Sequence, residues 1–170
     1  MASSTLDSIL LQHYNKARSV DFPAFIDNKA TSTPLNSAPY ITHLSEFSKE
    51  LLDPVRHSFR AQLIAAIDEL RESGILVEIV LIGGSFLDTT VTPGDLDCVL
   101  FYSVEDEQFT LDLQQWQLKV KDEHLDARLI PVDTNPLFTL KAALFFAVLY
   151  TQRKTPGGLP TGLILIDCKR

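Results

Sequence analysis

The sequence predicts an α/β (α+β) domain, built from a mixed β-sheet of about four to five strands backed by helices. Apolar, β-branched runs at residues 75–82, 95–102, 125–132 and 163–167 have the length and composition of strands. Longer segments with apolar residues at helical spacing lie before and between these runs. With 45% hydrophobic residues in a chain of 170, there is enough apolar material for a substantial core.

The first 42 residues are expected to form an N-terminal helix and a wrapping arm, followed by a single globular unit at 43–170. Apolar side chains recur at helical spacing in residues 5–18, which predicts a short amphipathic helix. Residues 19–42 contain three prolines and are predicted to be irregular. Aromatic residues such as Phe22 offer anchors, so the arm packs either on its own domain or on a neighbouring molecule. The oligomeric state is left open.

Three further helical segments are predicted. The first covers residues 43–73 with an interruption near Asp53-Pro54, and Gly74 follows it as a C-terminal cap. The second covers residues 105–122, where apolar side chains are spaced for one face. The third, at 135–150, is apolar around most of its circumference and is therefore expected to be buried.

Composition restricts the function classes. The net charge of −7 argues against general binding of a DNA backbone, which needs a basic surface. The N-terminus lacks the pattern of a signal peptide, and the longest apolar run, 142–150, is too short for a bilayer, which needs about 20 residues. The two cysteines, Cys98 and Cys168, are too few for a disulfide framework. We therefore expect a cytoplasmic protein with reduced thiols and no membrane partner.

Two aspartates interrupt the apolar strand predicted at 95–102. Asp95 and Asp97 are separated by one residue, so in a strand their side chains point to the same face. Two adjacent carboxylates repel each other, and a divalent cation such as Mg²⁺ relieves that repulsion. Alternatively, Asp95 belongs to the preceding turn and Asp97 is exposed on an edge strand. The Gly-Gly-Ser sequence at 83–85 follows another predicted strand and offers backbone N–H groups to a phosphate, although glycine is also common in ordinary loops.

Together these features resemble the signature of the polymerase-β-like nucleotidyltransferase superfamily. That signature is a strand, a Gly-Ser turn, a short helix or loop, and a strand with the pattern Asp-hydrophobic-Asp. Here GGSF at 83–86 and DLDCVLF at 95–101 are similar to it. The surrounding chain, over roughly 38–168, looks most similar to small bacterial proteins of that fold. These carry a Ser-x-Arg helix, here HSFR at 57–60, and a turn containing Lys or Gly before the last strand, here within 153–162.

The resemblance implies which residues form the site. The Gly-Ser turn would hold a triphosphate, and three carboxylates would bind two Mg²⁺ ions, with Mn²⁺ as the alternative ion. The implied phosphate-binding residues are Gly83, Gly84 and Ser85. The implied metal-binding and catalytic residues are Asp95, Asp97 and Asp126. Asp126 opens the third predicted strand and best matches the third acid, with Asp133 and Glu123 as alternatives.

The implied activity is transfer of a nucleoside monophosphate from a nucleoside triphosphate (NTP) to a hydroxyl group of a protein, an RNA or a small molecule. Active members of the superfamily often carry a basic residue shortly after the Gly-Ser pair, whereas this chain has Asp88 and no cation there. Lys141, Arg153 and Lys154 are candidate phosphate contacts or else solvated charges. The alternative function is a catalytically inactive module of the same fold that binds a partner, for example in a toxin–antitoxin or phage-defence context.

Overall fold

The computed structural model of the protein describes residues 2–105, 109–152 and 162–169. Its α-helices are α1 (Ala2–Arg18), α2 (Leu44–Phe47), α3 (Pro54–Glu72), α4 (Leu113–Asp122) and α5 (Pro136–Thr151). Its strands are β1 (Tyr40–His43), β2 (Ile75–Ile82), β3 (Leu96–Val104), β4 (Leu125–Pro131) and β5 (Ile164–Asp167). Arg153, Lys154 and most of the turn predicted within 153–162 lie outside the described residues.

The five strands form one mixed sheet with the order β1-β5-β2-β3-β4, and this confirms the predicted fold class of a mixed sheet backed by helices. β2 runs antiparallel to both of its neighbours, β5 and β3. β1 pairs with β5, and β4 with β3, in parallel. Because of these directions, the end of β2 and the beginnings of β3 and β4 meet at the same edge of the sheet.

The two faces of the sheet are covered differently. One face forms the main core with α1, α3 and α4. Its fully buried side chains include Tyr14, Leu63, Ile67, Leu70, Leu96, Leu100 and Leu125. The opposite face carries a smaller cluster beneath α5, formed by Leu81, Val99, Phe101, Tyr150 and Leu163. Because side chains alternate along a strand, successive residues of β3 belong to different clusters.

The predicted boundaries agree best where the local sequence signals are strong. β2 covers the predicted residues 75–82 without a shift. α3 begins directly after Asp53, whose carboxylate accepts hydrogen bonds from the backbone N–H groups of Val55 and Arg56. Gly74 lies just past the end of α3 with a φ of 84°, a left-handed conformation that favours glycine.

Three predicted boundaries need correction. β1 lies at 40–43, in the arm predicted to be irregular, because it pairs with β5, a long-range contact without a local signature. The arm therefore contributes an edge strand across the boundary expected after residue 42. β3 begins at Leu96, so Asp95 lies in a bend just before the strand. α4 begins at Leu113 and not at residue 105, since the Asp112 carboxylate accepts two N–H groups of the first turn and starts the helix there.

The prediction that the helix at 135–150 is buried is wrong. α5 lies over the smaller cluster, yet its only buried residues are Ala142 and Tyr150. Most of its large apolar side chains are exposed: Leu137, Phe138, Leu140, Leu144, Phe145, Val148 and Leu149. A helix that lies on one face of a sheet buries only the side that contacts the sheet. A helix that is apolar on most sides therefore keeps apolar side chains exposed on the others. Within the described residues, no helix is both long and apolar enough to cross a membrane.

The N-terminal arm packs on its own chain. The Phe22 ring lies between the rings of Tyr14 and Tyr40, with centroid distances of 5.4 and 6.3 Å. The Tyr40 hydroxyl donates a hydrogen bond to the Pro23 carbonyl at 2.7 Å. A Cβ added to Gly162 would lie only 2.2 Å from the Phe22 carbonyl oxygen. The arm therefore passes directly over the residues that lead into β5.

Replacing Gly162 with alanine is expected to displace the arm. The new methyl group would overlap the Phe22 carbonyl, a backbone group that cannot rotate away. We expect Gly162→Ala to lower the free energy of unfolding by about 1–3 kcal/mol, measured by urea denaturation. Gly94→Ala is the matched control, because no atom lies within 4 Å of its added Cβ. Equal stabilities of the two variants would contradict this contact.

Candidate functional site

The Gly-Gly-Ser turn joins the end of β2 to a short 3₁₀ helix, Gly84–Leu87. Packing against α5 requires glycine at the first position of the turn. A Cβ on Gly83 would lie 2.6 Å from the Tyr150 Cβ and 2.9 Å from the Leu163 Cδ2. Carbon atoms do not approach each other so closely without bonding, so a larger residue at Gly83 would push the end of α5 away from the turn.

Gly84 is required for different reasons. Its φ of 69° is left-handed, a conformation that disfavours other residues. A Cβ at this position would lie 2.8 Å from the Asp97 Oδ2. The backbone of the turn thus approaches the Asp97 carboxylate as closely as a residue without a side chain permits. Ser85 follows and is half-buried. The turn and Asp97 therefore form one continuous site.

Asp97 and Asp126 lie side by side on neighbouring strands. They are direct partners in the parallel register of β3 and β4, and adjacent strands are separated by about 4.8 Å. The neighbours of Asp97 in β3, Leu96 and Cys98, belong to the main core, so Asp97 points to the opposite face, where α5 lies. The Nη2 atom of Arg128 lies 3.4 Å from the Oδ1 atom of Asp126 in a partly exposed ion pair. This edge of the sheet therefore presents two acidic groups and one cation.

The other predicted acids occupy different positions. Asp95 is half-buried in the bend before β3. Glu123 is exposed at the end of α4, three residues before Asp126. The Asp133 carboxylate accepts a hydrogen bond from the Val104 N–H at 3.5 Å, at the far end of β3. Seven residues of extended chain place Asp133 roughly 20 Å from Asp126. Asp133 is therefore too far from the Gly-Gly-Ser turn to act with it.

The acidic residues at this edge form a pair and not a closed group of three. Among the residues that the structure describes, no three His, Cys, Asp or Glu side chains are arranged to hold a metal ion. Asp97 and Asp126 occupy adjacent register positions, whereas Asp95 lies outside the strand. In this conformation, a divalent cation at the pair would have two protein carboxylates as neighbours, and water or backbone oxygens would complete its shell.

Tyr150 belongs to this site, although the sequence did not single it out. Its side chain is buried near the end of α5, against the turn. Burial raises the pKa of the Tyr150 phenol, and electrostatic interactions with Cys98, Asp97 and Asp126 raise it further. The phenol is therefore protonated at neutral pH and interacts electrostatically with the carboxylate pair. The available signal was a tyrosine at the end of the apolar run 142–150.

Arg56 holds the turn in place and is a second residue that sequence reasoning missed. Its side chain is only 7% exposed. The guanidinium donates hydrogen bonds to four backbone carbonyls, those of Ser85, Phe86, Asp88 and Val91. It also donates from Nη1 to the Asp53 carboxylate at 2.7 Å. No side-chain pattern reveals these contacts, because most of the acceptors are backbone atoms.

The arginine of the predicted Ser-x-Arg helix lies elsewhere. Arg60 is buried and donates hydrogen bonds to the carbonyls of Phe47 and Glu50, at 2.9 and 2.6 Å. Ser58 is exposed on the same helix. Arg60 therefore joins α3 to the end of α2, and its hydrogen bonds support the fold and not the turn.

Asp88, which stands where a cation was expected, is part of the loop structure. Its carboxylate accepts hydrogen bonds from the N–H and the hydroxyl of Thr90. These bonds lower the pKa of Asp88, so the side chain is ionised at neutral pH. Within the described residues, α3 supplies positive charge at this loop, because the Arg56 guanidinium lies against the Asp88 carbonyl.

An open cleft of about 290 Å³ borders Asp126, one of the two paired carboxylates, on the side of α4. The residues that line it are Gln114, Gln117, Leu118, Lys121, Asp126, Ala127 and Arg128. β4 is an edge strand, and the Gln117 Nε2 donates a hydrogen bond to the Ala127 carbonyl there at 3.0 Å. Lys121 and Arg128 place positive charge beside Asp126, so the cleft suits a polar or anionic group.

We expect Arg56→Met to destabilise the turn strongly. The substitution keeps an apolar stem but removes the donors of the buried Phe86 carbonyl and the partly buried Val91 carbonyl. The expected loss in the free energy of unfolding is about 3 kcal/mol or more, measured by urea denaturation. Arg71→Met is the control, because Arg71 forms an exposed pair with Asp68 and should change stability by less than about 0.5 kcal/mol. Similar losses for the two variants would refute the role assigned to Arg56.

Comparison with known proteins and protein families identifies the family of the chain. No curated protein and no solved structure matches the chain. A family model matches residues 24–167, which include both strands of the carboxylate pair, the Gly-Gly-Ser turn and most of the arm. This match covers most of the sequence. The chain therefore belongs to DUF6932, a family of unknown function.

Proposed function

We propose that the protein is a metal-dependent nucleotidyltransferase, which transfers a nucleoside monophosphate from an NTP to a hydroxyl group of a protein, an RNA or a small molecule. The observation that carries this proposal is the contact of the Gly-Gly-Ser turn with Asp97, whose strand partner is Asp126. Two motifs that are eleven residues apart in sequence, at 84 and 95, thus belong to one edge of the sheet. This arrangement supports the resemblance to the polymerase-β-like nucleotidyltransferase superfamily.

The residues at this edge fit a hard divalent cation such as Mg²⁺ or Mn²⁺. Like charges at directly opposite strand positions repel each other, and a cation between them removes that repulsion. The Arg128 guanidinium is 3.4 Å or more from the Asp126 oxygens, longer than a strong charge-assisted hydrogen bond. Asp97 and Asp126 would hold the ion, and Asp95 lies nearby in the bend before β3. When bound, the metal would neutralise the negative charge that develops during phosphoryl transfer.

The turn would bind the triphosphate. Gly84 lets an anionic oxygen approach the backbone N–H groups, and the Ser85 hydroxyl adds a donor. Arg56 provides positive charge against the same turn. Tyr150 adds a neutral side chain that packs against Gly83, and its burial there excludes water from that side. These residues bind and orient the phosphate chain.

Asp126 would act on the acceptor. It borders the open cleft beside α4, and we place the attacking hydroxyl there. Asp126 would accept the proton of that hydroxyl as a general base. The hydroxyl oxygen then forms a bond to the α-phosphorus of the NTP, and the bond between the α-phosphorus and the pyrophosphate oxygen breaks. Lys121 and Arg128 would orient an acceptor through a polar or anionic group.

The alternative function, a non-catalytic binding module of the same fold, has specific support. The described residues include no group of three metal-binding side chains, and Asp88 stands where active members often carry a cation. A module of this kind would keep the turn and the carboxylate pair without completing turnover. The two functions differ in whether an NTP binds in a metal-dependent way and reacts.

The first test is calorimetric titration of the protein with each NTP, with and without Mg²⁺. We expect binding that requires the metal, and Asp97→Asn should weaken it at least about 10-fold because one of the two paired carboxylates is lost. Asp133→Asn is the control, since Asp133 is exposed at the far end of the sheet and should leave affinity unchanged. Circular dichroism of each variant shows whether it is folded.

A folded wild-type protein without metal-dependent NTP binding would exclude the enzyme and leave the binding module. If binding is found, incubation of the protein and labelled NTP with a cell lysate identifies the acceptor class. Label transferred to protein, RNA or small molecules would be lost with Asp97→Asn and retained with Asp133→Asn. Binding without transfer of label would favour the non-catalytic alternative.

Gly84→Ala tests the contact between the turn and Asp97. The added methyl group would meet the Asp97 Oδ2, and the left-handed backbone at Gly84 costs a further 1–2 kcal/mol, roughly, in any residue with a side chain. We expect Mg²⁺-dependent NTP binding to weaken several-fold, measured by the same calorimetry. Gly94→Ala, with no neighbouring atom within 4 Å, should bind as the wild type does. Unchanged binding by Gly84→Ala would show that the turn is not the nucleotide site.

A further inference from the structure

The outward side of α5 is apolar along most of its length. Six large side chains there are between 50% and 78% exposed. They are Leu137, Phe138, Leu140, Leu144, Phe145 and Val148, and we call them the α5 face. Folded monomers rarely leave a contiguous apolar patch of more than a few hundred Å² in contact with water. The α5 face therefore requires an explanation beyond the fold of a single chain.

Electrostatics favours α5 as the place where two copies of the chain meet. The net charge is −7, so two copies repel each other wherever acidic surfaces come together. α1, α2, α3 and α4 each contain Asp or Glu, whereas α5 contains neither. The charged residue of α5 is Lys141, whose apolar stem can lie along the face while its amine reaches water.

The exposed area of the α5 face is close to what a homodimer needs. Leucine, valine and phenylalanine side chains exposed to this extent contribute roughly 100 Å² each, or about 600 Å² for the six. A standard protein interface buries about 800 Å² per partner. We propose that the α5 face is covered by the α5 face of a second copy of this chain, in a two-fold symmetric dimer. This inference does not depend on the proposed enzymatic function.

The spacing along α5 gives the arrangement of the two helices. Leu137, Leu144 and Thr151 are seven residues apart, so they lie on one stripe of the helix. Leu144 is the midpoint of that stripe. A two-fold axis at Leu144 gives an antiparallel pair that overlaps over the whole of α5, with Leu137 opposite Thr151 of the partner subunit. Antiparallel pairing also places each helix N-terminus near the C-terminus of the other, which the helix dipoles favour.

Sedimentation velocity of the full chain tests the dimer at concentrations from about 1 to 100 μM, the range for a micromolar association. The wild type is expected to have twice the chain mass of 19.0 kDa. Leu144→Glu places two acids at the axis and should weaken association at least about 100-fold, which gives a monomer. Leu118→Glu is the matched control, a leucine on α4 that is 59% exposed against 61% for Leu144, and should remain dimeric.

A wild type that is folded by circular dichroism yet monomeric at every concentration would overturn the proposal. Dissociation of both Glu variants to the same degree would also overturn it, because the effect would then not belong to α5.

Cross-linking locates the axis in a Cys168→Ser background, in which the remaining Cys98 is buried. Leu144→Cys should form a disulfide-linked dimer on oxidation. Leu137→Cys should not form this disulfide, because position 137 is seven residues, or about 10 Å along the helix, from the axis in each subunit. Equal cross-linking at both positions would refute the antiparallel pair.

Discussion

The conformation of the Gly-Gly-Ser turn depends on a single buried guanidinium. Four carbonyls of the turn and the loop after it lie outside the strand ladder, those of Ser85, Phe86, Asp88 and Val91, and buried carbonyls without donors are costly. Arg56 supplies those donors and pairs with Asp53. Hydrogen bonds from Arg56 lower the pKa of Asp53, which is also the residue that caps α3. The start of the longest helix in the described part of the chain and the shape of the turn are therefore fixed by the same ion pair, and a shift of α3 would move the turn.

Two close approaches then place the turn relative to the acids. Gly83 permits the end of α5 to pack on the turn through Tyr150, and Gly84 permits the backbone to approach Asp97. The antiparallel pairing of β2 with β3 puts the turn beside the start of β3. The parallel pairing of β3 with β4 adds Asp126 at the same level. The adjacent glycines thus serve different neighbours, and neither position tolerates a side chain without separating the parts of the site.

The parts of the structure that sequence predicted are those with local causes. β2 is a continuous β-branched run, and α3 has a capping aspartate and a terminal glycine, so their bounds follow from residues 53–82 alone. The Gly-Gly-Ser turn and Asp97 were visible as a pattern, but their contact was not. β1 and Arg56 were missed because strand pairing with β5 and hydrogen bonds to backbone carbonyls leave no pattern in the side chains. Asp126 could be chosen by its strand position, whereas the distance of Asp133 from the site emerged only with the register.

The wrong prediction for α5 has a physical meaning of its own. A helix that is apolar around most of its circumference was expected to be buried, and the sheet covers one side of it, where Ala142 and Tyr150 pack. The residues that the sheet does not cover are as apolar as those it does, so the sequence of α5 is suited to contacts on both sides. The inner contact places the Tyr150 phenol beside Asp97, while an outer contact with a second copy would restrain the same helix. Because Gly83 packs directly on Tyr150, any restraint on α5 also restrains the turn, and the stability of the site would then increase with association.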